Sequence, residues 1–262
     1  MKWFWRKVAV IITAYYAHML EYRAEIFFWA LAGCLPLIIM GAWIEASSQG
    51  DFGLQTSDFA HYFLCVFLIR QFTNVWVVWE FEKQVLQGTL SFRLLQPLDP
   101  VWHHVARHVT EKMTRVPFVS VFIALFFFLY PQGIWIPSLP NFALGLVTTA
   151  MAFALNFSMQ YTFSMFAFWT ERAHAIEQLS FLGFLFLSGL IAPLEVFPPL
   201  IRNIALCTPY PYLVHFPASL FIGLPVNIGQ GFVVMLLWLG LFLLLNRWLW
   251  RKGLRQYSGM GA

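Results

Sequence analysis

Apolar residues along this chain fall into long unbroken runs, not the alternation of half-buried strands. The runs cover residues 26–44, 59–79, 116–136, 142–169, 179–194 and 232–250. A bilayer core about 30 Å thick needs roughly 20 mostly apolar helical residues. The pattern predicts one all-α integral membrane domain over 1–262 with six transmembrane helices. Arg23, Glu25 and Glu45 bound the first run, and Arg70 is the one interior charge of the second. The third is weak beyond Tyr130, the fifth is short, and Asn246 and Arg247 interrupt the sixth near its end.

The segments between the runs carry their own patterns. At a period of 3.6, Phe4, Trp5, Val8, Ile11, Ile12, Tyr15, Met19 and Tyr22 share one side of a helix over 1–23. Such a helix lies in the headgroup plane with its aromatic residues toward the acyl chains, or serves only as a topological anchor. Residues 80–112 are longer than a connection needs. Gly88 offers a helix stop, Thr89 or Ser91 a new N-cap, and Pro97 and Pro100 an end. A short helix there would present Leu90, Phe92, Leu94 and Leu95, with Arg93 at the rim, as a docking surface or pack them back on the chain itself. Seven prolines punctuate 193–225, and the apolar pieces between them are too short to span. Residues 195–229 are therefore expected to form outer re-entrant helices, capping a path or shielding helix ends.

Composition narrows the class. Only 11% of residues are charged and 60% are hydrophobic. Soluble domains carry about 25% charged residues, so a water-soluble globule is excluded. The net charge of +4 does not mark a nucleic-acid protein, because the basic residues form no basic domain. They are Lys2, Arg6, Lys7 and Arg23 before the first run, then Lys83, Arg93, Arg107, Lys112 and Arg115 between the second and third. Arg172 follows the fourth, and Arg247, Arg251, Lys252 and Arg255 close the chain. Six spans place all of these on one side, which the positive-inside rule makes cytoplasmic, together with both termini. A cleavable signal peptide fits poorly, since Ala30-Leu31-Ala32 lies inside the first run, after charges. Cys34, Cys65 and Cys207 give no disulfide framework.

Chemical motifs are scarce. The chain has no G-x-x-x-x-G-K-[ST], no H-E-x-x-H and no C-x-x-C, so it binds no nucleotide through a P-loop of its own. His104, His108 and Glu111 share a helix face, a weak metal pattern that reads better as a wet interfacial surface. Arg70, with Gln71, Thr73 and Asn74 beside it, stands midway along the second run. A central Arg costs about 2.5–3.5 kcal/mol on insertion scales and needs partners. The patch lines a substrate path or helix interface, or is a structural anchor. A membrane-embedded lipid-handling enzyme would need a convergent set of acidic, His or metal-ligand residues, which is not evident. A non-transporting membrane scaffold is the other alternative.

Four blocks in order carry a resemblance. They are Leu20–Trp29, Gln87–Leu98, Ser188–Pro198 with Pro209-Tyr-Pro-Tyr and Phe216-Pro, and Gly253–Gly261. On this topology the chain resembles the ABC-2 type transporter permeases, and within them a bacterial subgroup, DUF990-like. The resemblance implies a type V exporter-like fold and a dimer, homo- or hetero-, of six-span permeases in the bacterial inner membrane. It implies docking on separate cytoplasmic ABC ATPase subunits, which hold ATP and Mg, so this chain binds no cofactor. By the same resemblance residues 1–23 correspond to the family's connecting helix. Leu86, Gly88, Leu90, Phe92, Arg93, Leu94, Leu95 and Pro97 fall in its coupling region. Arg70, Gln71, Asn74 and Glu195 are candidates for the pathway or interface. The expected substrate is an amphiphile, first a drug or cationic toxin, moved outward by alternating access.

Overall fold

The computed structural model describes residues 2–50 and 54–257, with side chains from residue 7. Twelve α-helices and short 3-10 turns make up its regular structure, with no strand among the described residues. They are α1 Lys2–Glu21, α2 Arg23–Ala32, α3 Leu35–Gln49, α4 Thr56–Thr73, α5 Val77–Leu86 and α6 Leu90–Leu94. Next come α7 Pro100–Leu129, α8 Leu139–Ser164, α9 His174–Leu187, α10 Pro199–Leu206, α11 His215–Ile222 and α12 Ile228–Gln256.

Local sequence starts the long helices. Gln55 and Asp58 form a capping box at α4. Asp99 accepts from the Val101 N–H at 3.1 Å, with Pro100 as the first residue of α7. Ser138 and Asn227 cap α8 and α12 by accepting from Asn141 and Gln230 N–H groups at 3.4 and 3.0 Å. The core lies where α4, α8 and α11 meet, around Phe59, Tyr62, Phe63, Val66, Leu155, Met159, Leu213 and Met235. α3 packs along α4, α12 along α8, and α1 along α7. A second cluster, around Phe81, Leu90, Tyr161, Met165, Phe168 and Trp250, closes the end that carries α6.

Among the described residues five stretches are long and apolar enough to cross a membrane: Arg23–Gln49, Thr56–Leu86, Pro100–Leu129, Leu139–Phe168 and Ile228–Gln256. The expected fifth span, 179–194, is instead the 14-residue α9 followed by irregular chain. Its helix reaches only about 21 Å. The first span is broken at Gly33-Cys34, because Pro36 has no N–H to donate to the carbonyl four residues back. The second is broken at 74–76. The third begins earlier and ends earlier than expected. Residues 100–112, expected to be part of a cytoplasmic connection, are the first turns of one continuous α7. Pro117 lies inside that helix, as membrane helices tolerate.

The expected outer region does consist of short helices. α11 is buried through His215, Phe216, Ala218, Ser219 and Leu220, which pack against α4 and α8. Gly189 turns the chain there with φ 85°, and a Cβ on it would collide with Tyr62 and His215. α1 follows most of its expected face, with Met19 buried and Val8, Ile11, Ile12 and Tyr15 half-buried, but Tyr22 lies past the helix end and is exposed. That face rests on α7 rather than on acyl chains alone: Tyr15 Oη lies 3.4 Å from His103 Nδ1. The side chains of Phe4 and Trp5, and the chain at Asp51 and 258–262, lie outside the described residues.

Candidate intramembrane polar site and coupling surface

The break between α4 and α5 exposes backbone groups that lipid cannot satisfy. Three side chains from two other helices take them. Asn156 Nδ2 of α8 donates to Thr73 O at 2.8 Å, and Lys112 Nζ of α7 donates to Asn74 O. The Trp76 N–H donates to His108 Nε2 at 3.2 Å. His108 Nδ1 faces His104 O at 2.8 Å, so this backbone pair fixes a neutral ring protonated on Nδ1. Trp76 Nε1 donates to Glu111 Oε2 at 2.7 Å, and Glu111 also pairs with Arg115 and, at 3.4 Å, with Lys112. Arg115 Nη1 donates to Gln71 Oε1 at 3.2 Å, while Gln71 Nε2 donates to Ala30 O at 3.0 Å. One network thus joins α2, α4, α7 and α8 around the break.

One turn toward α6, Glu80 accepts from Arg107 Nη1 at 2.6 Å and lies 3.3 Å from His104 Nδ1. The face bearing His104, His108 and Glu111 was expected to be wet. All three are buried, because α7 runs continuously past the break and turns that face toward α4, α5 and α8. Among the described residues no group of His, Cys, Asp and Glu is placed to hold a metal.

Arg70 lies in the last turn of α4, with its guanidinium carbon 4.7 Å from the centre of the Phe184 ring. Among the described residues no carboxylate pairs with it. With Gln71, Asn74, Arg115, Trp29 and Ala32 it lines a cavity of about 280 Å³. The expected grouping of Arg70, Gln71 and Asn74 is therefore one place. Glu195 belongs elsewhere. Its Oε1 lies 3.5 Å from His215 Nε2, in a cluster where Tyr62 Oη donates to Gly189 O at 2.8 Å. Tyr62 is separated from Arg70 by about 12 Å of helix rise.

At the other end of α5, Gly88 takes φ 71° and α6 follows. Phe92 and Leu95 stand 71% and 84% exposed, and Leu86 and Leu94 are exposed as well. Leu90, expected among the docking residues, is fully buried in the chain's own core beside Phe81. A five-residue helix turns one of its apolar residues inward whatever the others do. Arg93, expected at the rim, points its Nη1 at His103 Nδ1, 2.8 Å away. Ser91 Oγ lies 3.2 Å from Tyr257 Oη, which ties α6 to the end of α12. Gly88 is buried at the turn and Pro97 is exposed beyond α6. Glu82 pairs with His174 at 2.8 Å, joining α5 to the start of α9.

Sequence reasoning missed Trp76, His108, Glu111, Lys112 and Arg115 as one site. The usable signal was the i, i+4 spacing of Glu111 and Arg115 next to a long apolar run. A family model described as ABC-2 family transporter protein matches residues 46–261. No curated protein matches the chain.

Proposed function

We propose a function from the premise that this chain belongs to the ABC-2 transporter family and is a multi-pass membrane permease. It serves as one subunit of an ATP-driven exporter in a bacterial inner membrane, paired with a second permease, identical or different. Each subunit docks on a cytoplasmic ABC ATPase that holds the ATP and Mg. α9 and the irregular chain after it make the sixth crossing, which keeps both termini cytoplasmic and the basic segments on one side. The substrate is amphiphilic and passes between the two permeases.

The observation that carries this reading is α6. Its exposed Phe92 and Leu95 are apolar anchors without cover among the described residues, while buried Leu90 and the Ser91–Tyr257 contact hold the helix in place. α5 links it directly to the break and its polar network, so a push on α6 reaches the intramembrane site through one rigid helix. The lipid-enzyme alternative finds no support in Glu80 and Glu111, since both are committed to ion pairs.

The test is co-purification of an ABC ATPase with the tagged chain and stimulation of its ATP hydrolysis, with Phe92→Ala as the control. Loss of co-purification in a well-folded Phe92→Ala protein supports the reading, and wild-type recovery by both Phe92→Ala and Leu95→Ala removes α6 as the dock. Orientation is read separately with a cysteine at Gln96. It should be shielded from impermeant reagents in intact cells, and labelling from outside would overturn the topology.

A further inference from the structure

The polar layer at the α4–α5 break is unbalanced. Among the described residues it holds four basic side chains, Arg70, Arg107, Lys112 and Arg115, against two carboxylates, Glu80 and Glu111. Glu80 answers Arg107, and Glu111 answers Arg115 and Lys112. Arg70 stacks on the face of Phe184, and among the described residues no carboxylate answers it. Arg115 is 3% exposed, yet its Nε has no hydrogen-bond partner. Both arginines line the same cavity, with the amides of Gln71 and Asn74 beside them. Excess positive charge and an unmet donor at membrane depth are costly unless something answers them.

We propose that this cavity binds the anionic headgroup, a phosphate or carboxylate, of an amphiphile whose apolar body stays outside it. Planar guanidinium groups suit oxyanions, and both arginines border one space. At about 280 Å³ the cavity sits at the small end of sites that enclose a drug-sized molecule, which suits a headgroup. Trp29 and Ala32 form its apolar margin, and Phe28, next to Trp29 and one turn before Ala32 on α2, is 63% exposed. The inference rests on the permease reading only in making this amphiphile the cargo. It reverses the charge expected of a cationic toxin, because a cation here would meet Arg70 and Arg115.

Full-length protein in a neutral maltoside detergent is titrated with dodecyl phosphate, dodecanoate and dodecyltrimethylammonium, and bound molecules are counted by native mass spectrometry. Dodecyl phosphate should bind at least ten-fold more tightly than dodecyltrimethylammonium. Arg70→Gln, which strands no carboxylate, and Ala32→Leu, which narrows the cavity without touching charge, should each weaken dodecyl phosphate at least five-fold at unchanged Tm. Competition identifies the source, and either result supports the site: phosphatidylglycerol displaces the probe if bilayer headgroups enter, inorganic phosphate if free anions do. Equal binding of the cationic probe, or wild-type binding by both variants, overturns the proposal. No ATPase is needed, so failure here leaves the docking test standing, and failure there leaves this result standing.

Discussion

The Thr56–Leu86 stretch and α12 are both apolar and both long enough to cross a membrane, yet they are built for opposite surroundings. In the most apolar part of the first, 67% of residues are buried, against 17% in α12. Burial in α12 follows a narrow stripe through Gly231, Met235, Phe242, Leu249 and Gly253, where Gly231 and Gly253 let Phe216 and Phe168 approach the backbone. The rest of that helix is Leu-rich and outward. The Thr56–Leu86 stretch is surrounded on most sides, is interrupted at 74–76, and carries Arg70 and Gln71 beside the interruption. A helix facing lipid must satisfy its own backbone. One enclosed by neighbours can break, because Asn156, Lys112 and His108 satisfy it. Of these two stretches, only the enclosed one therefore carries a break with buried polar partners.

The strongest way to break this contrast is Glu111→Leu. It strands buried Lys112 and Arg115 and orphans the Trp76 indole, so about 3–5 kcal/mol of stability should be lost. The readout is detergent-solubilised Tm and the yield of monodisperse protein. Glu111→Gln, which retains an acceptor for Trp76, should lose less. Leu90→Ala comes next, at about 2–4 kcal/mol, since Leu90 is fully buried in the core. The same Tm assay separates it from Phe92→Ala, which should leave Tm unchanged and cost about 1–2 kcal/mol of ATPase association. Smallest is Leu244→Ala on the outward face of α12, where the side chain is 73% exposed; a change of about 0.5 kcal/mol or less is expected. A large Tm loss there would mean that α12 is enclosed after all.

Hydropathy and charge placement, read along the chain alone, determined the all-helical membrane class, the approximate position of five long apolar helices, the short helix before Pro97 and the short helices between 199 and 222. Those features depend on local composition, spacing and caps, which a sequence states directly. The tertiary structure decided what each polar residue does. Arg70, Gln71 and Asn74 are visible as a patch, but their partners on α2, α7 and α9 lie far away in sequence, and the α7 residues read from sequence as part of a cytoplasmic connection. Leu90 and Phe92 are near-neighbours with the same apolar character, and only packing against Phe81 turns one inward and leaves the other exposed. The break at 74–76 has no proline or glycine to announce it. It persists because donors and an acceptor from other helices meet the backbone groups it frees, and that is a property of the assembled bundle.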